Sequence, residues 1–172
     1  ANYEAAPLGC ETPGFDADIA AKDWPEAEKG FAQMMRIIDR QVGEMVAKLE
    51  ELGLAENTVF MFASDNGPHQ EGGHKMEFFD SNSLLRGMKR DMYEGGVRTP
   101  FIVKWPARVQ AGTRSNLLSA FWDILPTFCD LAEVDTPEGL DGISLMPTLI
   151  GDGTHQQLHK YLYFEFYEEG GK

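Results

Sequence analysis

Apolar residues recur at three- and four-residue intervals from Phe31 to Leu52, a period that predicts a long amphipathic helix of about seven turns. Asp23-Trp24-Pro25-Glu26 predicts the helix start, with Asp23 as the capping side chain, and Gly53 predicts the helix end. We expect the methionine-rich apolar stripe of this helix to pack in a core, and a groove for a partner is the alternative.

Short apolar runs after this helix predict strands at 58–63, 101–105 and 161–166. The intervening segment 64–99 is polar and glycine-containing, which predicts a long functional loop with short helical pieces. A helical pattern at 117–131 is interrupted early by Pro126. The alternation of helices and strands predicts an α/β layered sheet. We expect residues 1–172 to belong to one domain, with 1–22 as a lead-in loop and 23–166 as the α/β portion.

The charge distribution narrows the possible functions. The chain has 15 basic and 28 acidic residues and a net charge of -13, which argues against a nucleic-acid partner. Six of the 15 basic residues nevertheless lie between positions 84 and 108, beside only two acidic ones. This segment is either a solvated surface or a focused anion site.

The sequence shows few features of membrane insertion, export or disulfide bonding. No apolar run is long enough to span a bilayer, so we expect no membrane partner. No signal peptide is visible at Ala1. The sequence leaves open whether its two cysteines, Cys10 and Cys129, form a disulfide.

Asp65 and Asn66 follow the first predicted strand and offer a carboxylate and an amide oxygen in adjacent positions. Ligands tend to bind at the carboxyl ends of strands in open α/β sheets. Hard oxygen donors suit Ca²⁺ or Mg²⁺, whereas an Asx-turn that closes the strand is the structural alternative. Two ligands cannot complete a calcium shell, so a metal site here needs further ligands from elsewhere.

Three further residues are candidates for contact with an anion. Lys89 lies in a loop flanked by glycines and can present a compact positive charge to an oxyanion. His69 and His74 flank a short glycine-containing segment beside the metal candidate and are candidates for substrate contact or proton transfer. For Arg98 we predict a structural ion pair with Glu94.

An ordered series of motifs resembles the formylglycine-dependent sulfatases, in their arylsulfatase-like form. The resemblance covers residues 25–166. It rests on Ser64-Asp65-Asn66-Gly67-Pro68, His69-Gln70-Glu71-Gly72-Gly73-His74, Leu85-Arg86-Gly87-Met88-Lys89, Tyr93-Glu94-Gly95-Gly96-Val97-Arg98-Thr99-Pro100 and Trp122-Asp123-Ile124-Leu125-Pro126-Thr127.

The resemblance implies an alkaline-phosphatase-like α/β fold and Ca²⁺-assisted hydrolysis of a sulfate ester, with Mg²⁺ as the alternative metal. It implies that Asp65 and Asn66 are metal ligands and that Lys89 binds the sulfate. We expect Lys89 and His69 to be catalytic, with both of them and His74 contacting the substrate.

The chain departs from the family pattern because it has no Cys/Ser-x-Pro-x-Arg motif, the precursor of the formylglycine nucleophile. The paired aspartates near the family's N-terminus are also absent. We therefore expect an internal or C-terminal fragment of a sulfatase catalytic domain, inactive alone and able to self-associate. The resemblance implies a periplasmic or secreted parent protein that a formylglycine-generating enzyme modifies.

Two other functions remain open at this point. One is a phosphate or phosphonate monoester hydrolase of the same superfamily. The other is a non-catalytic binding domain that kept the scaffold and lost the nucleophile. The natural sulfated substrate and the oligomeric state do not follow from the sequence.

Overall fold

The computed structural model of the chain describes residues 14–167, so Cys10 and most of the lead-in lie outside the described residues. Five helices and two strands form in this range, together with five single 3₁₀ turns. The helices are α1 (Ala17–Ala20), α2 (Glu26–Glu51), α3 (Glu94–Val97), α4 (Ile124–Leu131) and α5 (Met146–Leu149), and the strands are β1 (Phe60–Ala63) and β2 (Phe101–Lys104). The lead-in thus contains one helical turn, α1, that the sequence pattern did not predict.

The long helix is confirmed, although its predicted cap is wrong. α2 has 26 residues, and its N-cap is Pro25 without a capping side chain. Asp23 lies two residues before the N-cap, outside the position from which a side chain accepts the first free N–H groups. Leu52 is the C-cap, and Gly53 follows with a φ of 67°, the left-handed conformation that ends many helices.

The described residues cover the apolar stripe of α2 only in part: Phe31, Val42 and Val46 are half-buried, so the core-packing expectation holds in part. Met35 and Met45 are 48% and 50% exposed, and Ile38 and Leu52 are exposed as well. The helix instead buries Glu28, Gly30 and Gln33, which lie toward its N-terminal end. Its apolar face is therefore available for packing that residues 14–167 do not supply.

The two strands are hydrogen-bonded neighbours in a two-stranded sheet. All four residues of β1 are half-buried, whereas three of the four residues of β2 are exposed. Both strands form where apolar runs predicted them, and β1 begins two residues later than expected. Their continuous apolar runs are typical of buried strands, and this holds only in part, because the described chain does not cover the outer positions of β2.

Two other predicted elements differ from the structure. Residues 161–166 form no strand, and Tyr161 and Tyr163 are largely exposed. A strand requires a neighbour to pair its backbone groups, and apolar content alone does not provide one. Pro126 does not interrupt a helix, because α4 begins at Ile124 and places the proline in its first turn, where no N–H partner is lost.

The chain divides into two compact units, Ala1–Leu54 with Phe62–Phe101 and Ala55–Met61 with Ile102–Lys172. The described interior of the first unit includes Ile19, Glu28, Gln33 and His74. Polar groups are thus prominent in this interior, and each needs a hydrogen-bond partner to offset the cost of burial.

The second unit is organised around a fully buried carboxylate. Asp123 is 0% exposed and accepts hydrogen bonds from the backbone N–H groups of Ala120 and Ile143 at 2.8 and 2.9 Å. His159 Nε2 lies 2.8 Å from the same carboxylate. Cys129 of α4 is buried and forms no disulfide with any of residues 14–167.

Within residues 14–167, no helix combines the length and the apolar character that crossing a membrane requires.

Candidate active site

The turn after β1 holds the two oxygen donors that the sequence singled out. Asp65 is exposed and Asn66 is half-buried. Ser64 Oγ donates to the backbone oxygen of Asn66 at 2.9 Å, and Asn66 Nδ2 donates to the oxygen of Gly67 at 3.0 Å. The nitrogen of the Asn66 side chain is thus used within the turn, and its oxygen is the atom that a cation would require.

The oxygen donors of this turn are of the kind that a hard cation prefers, but there are too few of them to complete its ligand shell. A calcium ion takes six to eight oxygen ligands, of which this turn offers two side chains. No group of three or more His, Cys, Asp or Glu side chains suited to a metal occurs among the described residues 14–167. A metal bound here therefore needs ligands beyond this turn.

Close backbone packing holds the segment containing Lys89 against the Asp65-Asn66 turn. Gly67 N–H donates to the oxygen of Gly96 at 2.9 Å, and Lys89 N–H donates to the oxygen of Pro68 at 2.8 Å. A Cβ on Gly67 would lie 1.8 Å from the oxygen of Gly95, and one on Gly96 would lie 2.1 Å from the oxygen of Asp91. Only glycine fits at these two positions.

Lys89 meets a carboxylate in this structure. Its Nζ lies 2.9 Å from Glu71 Oε1, and Arg90 lies 3.6 Å from the same oxygen. The hydrogen bond from Lys89 lowers the pKa of Glu71 below its usual value, with smaller contributions from the charges of Lys89, His69 and Arg90. The side chains of Lys89 and Glu71 are 31% and 40% exposed, so solvent reaches both of them.

His69 is positioned by the backbone of the same loop. Its Nδ1 accepts a hydrogen bond from Glu71 N–H at 3.0 Å, so the neutral ring carries its hydrogen on Nε2. Burial lowers the pKa of His69, as do the charges of His74 and Lys89, whereas Glu71 acts in the opposite direction. The ring therefore favours its neutral form.

His74 is buried and is held by α2. Its Nδ1 lies 2.5 Å from Glu28 Oε2, and its ring stacks on Phe31 with 3.8 Å between centroids. The rings of His74 and His69 meet edge to face at 6.0 Å. Within residues 14–167, Nε2 of His74 is buried without a hydrogen-bond partner.

The structure thus connects three of the five predicted site residues through direct contacts. His74 contacts His69, and His69 accepts a hydrogen bond from the backbone of Glu71, whose carboxylate binds Lys89. Asp65 and Asn66 are tied to this group through the backbone of the turn that follows them.

Sequence reasoning missed two acidic members of this site, Glu28 and Glu71. Glu71 was visible inside the His69–His74 motif, but the motif gave no indication that it binds Lys89. Glu28 stands three residues before Phe31, at the spacing of the apolar stripe. A charged residue at that spacing was the one available sign of a buried polar contact.

Comparison with known protein sequences identifies a consistent set of relatives. A family model described as Sulfatase matches residues 3–134. Steryl-sulfatase of Rattus norvegicus is 37% identical over 137 residues, covering 77% of this chain and 24% of that protein. Arylsulfatase A of Homo sapiens is 34% identical over 140 residues, covering 81% of this chain and 27% of that protein. The chain therefore spans about a quarter of the length of these relatives.

Solved structures agree with the sequence comparison. A protein solved in complex with its substrate D-glucosamine-2-N,6-O-disulfate superposes with a TM-score of 0.69 at 29% identity, covering 86% of this chain and 28% of that chain. A sulfatase from Pseudoalteromonas sp. superposes with a TM-score of 0.60 at 32% identity, covering 73% of this chain and 25% of that chain. The likeness thus extends to most of the chain.

Proposed function

The chain belongs to the sulfatase family, and we propose that, together with sequence outside these 172 residues, it hydrolyses sulfate monoesters. Its fold is a partial copy of the alkaline-phosphatase-like α/β fold of its structural neighbours. One observation carries the proposal: the hydrogen bond from Lys89 N–H to the oxygen of Pro68 joins the backbone at Lys89 to the segment that directly follows the Asp65-Asn66 turn. An amine and two oxygen donors carried by backbone segments joined in this way would suit an anionic ester that is bound with a metal.

We assign the sulfate contact to Lys89. The ion pair with Glu71 at 2.9 Å supports this role, because the amine already meets a carboxylate oxygen at hydrogen-bonding distance. A sulfate group would take over or share this contact. A fixed positive charge stabilises the negative charge that develops in the transition state, and its removal typically costs about 100- to 1,000-fold in rate.

We assign the metal contacts to Asp65 and Asn66, with Ca²⁺ as the metal and Mg²⁺ as the alternative. Their oxygens have the hardness that these ions prefer, and the remaining ligands must come from outside the turn. When bound, the cation would offset negative charge on the sulfate oxygens. A formylglycine nucleophile must also lie outside the chain, since no Cys/Ser-x-Pro-x-Arg motif occurs in it. The chain alone is therefore expected to lack turnover.

His69 completes the proposed catalytic group. Because its Nδ1 accepts from Glu71 N–H, the neutral ring presents a hydrogen at Nε2. A neutral His69 ring can donate this hydrogen to an ester oxygen without the cost of burying a positive charge on the ring. We propose that His69 contacts the sulfate ester in this way and assists departure of the leaving oxygen.

The relatives act on chemically different esters, as the names steryl-sulfatase and N-acetylglucosamine-6-O-sulfatase indicate. Their common feature is the sulfate group, so the proposal extends to sulfate monoesters as a class. A formylglycine-generating enzyme is the expected partner in maturation. Periplasmic or secreted localisation remains a prediction from family resemblance.

The test is turnover by the whole protein, expressed with a formylglycine-generating enzyme. We expect a chromogenic aryl sulfate to react faster than the matching aryl phosphate. Metal removal should abolish the reaction, Ca²⁺ should restore it, and Asp65→Ala should require more Ca²⁺. A preference for phosphate would replace the proposal with a phosphatase. No turnover from a folded and modified protein would indicate a binding protein.

A further inference from the structure

The Glu28–His74 pair is the most deeply buried pair of ionisable side chains in the first unit, among the residues described. The two side chains are each 3% exposed, and they come from positions 46 residues apart in the sequence. Burial of such groups is costly unless every polar atom is matched. A pair kept at this depth needs a reason beyond stability.

Glu28 fixes the imidazole from two directions. Its Oε2 lies 2.5 Å from His74 Nδ1, and its Oε1 accepts from the backbone N–H of Lys75 at 2.9 Å. The ring also lies flat on Phe31, with an interplanar angle of 3°. Glu28 and Phe31 are three residues apart on α2, so they lie on the same face of the helix. From this face, Glu28 contacts the edge of the His74 ring and Phe31 stacks on its plane.

This arrangement leaves one polar atom unmatched. Nε2 of His74 is buried and has no hydrogen-bond partner within residues 14–167. A buried polar atom without a partner costs free energy, so the site gains when a ligand supplies one. A chain of contacts links this ring to the proposed anion site: His74 meets His69 edge to face, His69 accepts from the backbone of Glu71, and the Glu71 carboxylate binds Lys89.

We propose that Glu28 is a positioning residue that holds His74 so that Nε2 donates a hydrogen bond to a sulfate oxygen of the substrate. The inference rests on the proposed sulfatase function. Sulfate oxygens only accept hydrogen bonds, so Nε2 must carry a hydrogen when it meets one. Since Nδ1 is engaged with the carboxylate, the ring then donates from both nitrogens, and Glu28 balances its charge.

The first test reads the state of the ring by ¹⁵N NMR of the His74 imidazole in the 172-residue chain. Nδ1 should be protonated in the wild type. Glu28→Gln has one acceptor oxygen and one N–H donor group where the carboxylate had two acceptor oxygens, so either Lys75 N–H loses its acceptor or His74 Nδ1 faces a donor and gives up its hydrogen. We expect the spectrum of His74 to change. Glu26→Gln, an exposed change on the same helix, should leave it unchanged.

The second test uses inorganic sulfate and the whole protein. Nε2 of His74 should shift saturably with sulfate in wild type and Glu26→Gln. Glu28→Gln should weaken sulfate binding and raise KM for an aryl sulfate, each by about 10- to 100-fold, with a smaller change in kcat. Glu28→Asp keeps a carboxylate and should recover part of the loss, which covers the case in which Glu28→Gln does not fold.

The results separate this inference from the proposed function. An unchanged His74 spectrum in Glu28→Gln, or an Nε2 resonance insensitive to sulfate in an enzyme that turns over, overturns the inference and leaves the sulfatase proposal intact. Absence of sulfate ester turnover in the wild type overturns the sulfatase proposal. The proposed hydrogen bond from His74 Nε2 to the substrate is then overturned as well, while the NMR spectra still decide whether Glu28 fixes the ring of His74.

Discussion

His69 and Glu71 lie side by side, and their charges affect stability in different pH ranges. The pKa of His69 is lowered, chiefly by burial, so the folded chain binds a proton less readily than the unfolded chain. The pKa of Glu71 is also lowered, chiefly by the hydrogen bond from Lys89. This contact therefore contributes to the free energy of unfolding at pH values above the ordinary pKa of Glu71. The ion pair of Glu71 loses that contribution only in more acidic solution, as pH falls below the ordinary glutamate pKa of 4.5.

A pH series separates the histidine from the carboxylate. As pH falls through the ordinary histidine pKa of 6.5, the unfolded chain takes up the His69 proton first, so the free energy of unfolding should fall. His69→Gln keeps an acceptor for Glu71 N–H and removes this proton uptake. Urea unfolding between ~pH 7 and ~pH 5 should show a shallower decline for His69→Gln. An identical decline in both proteins would contradict the lowered pKa.

Residue types and motif order were sufficient to single out His69, His74 and Lys89 as candidates for contact with an anion, and their roles remain predictions. The Arg98–Glu94 pair is confirmed at 3.3 Å. Glu28 was not predictable, because its contact with His74 crosses 46 residues and depends on how α2 meets the loop. A local pattern contains no information about such a distant contact.

At the scale of elements, α2 and the loop after β1 depend on different physical causes. The helix follows from a sustained apolar period. The loop follows from close backbone contacts, in which Gly67 and Gly96 meet backbone oxygens where any Cβ would collide. Neither glycine has a positive φ. Glycine is therefore required at these positions because a Cβ has no room, and not because of the backbone conformation.

Two alanine substitutions distinguish close packing from conformational freedom. Gly96→Ala places a Cβ 2.1 Å from the oxygen of Asp91, so the loop must move, and we expect a loss of about 3 kcal/mol or more. Gly43→Ala meets nothing within 4 Å and lies inside α2, so it should stabilise the chain by about 0.5 to 1 kcal/mol. Chemical denaturation measures both changes. Equal effects of the two substitutions would contradict the packing account.

Apolar patterns predicted most of these elements, but they did not show which apolar segment finds a partner strand. β1, β2 and α2 formed where apolar patterns placed them. Residues 161–166 share the composition of a strand, yet they form none. Strand formation requires a partner, whereas a helix satisfies most of its own backbone groups.

For the whole molecule, we propose one explanation for the exposed apolar surface and for the absence of a Cys/Ser-x-Pro-x-Arg motif from the 172 residues. Met35, Met45 and Ile38 of α2 are exposed, and so are Leu158 and Tyr161 near the other end of the chain. Large exposed apolar patches mark surfaces that pack against other protein. The chain spans about a quarter of the length of its relatives, which fits the view that further sequence covers these surfaces and supplies the nucleophile.

The central claim is that Lys89 binds the sulfate of a sulfate ester, and the most direct test is the effect of Lys89→Ala on aryl sulfate hydrolysis by the whole protein. We expect kcat/KM to fall about 100- to 1,000-fold, because a fixed charge at the developing anion is lost. Lys75→Ala removes the same charge from an exposed position in the same loop and should change it little. Equal rates for the wild type and Lys89→Ala would contradict the account.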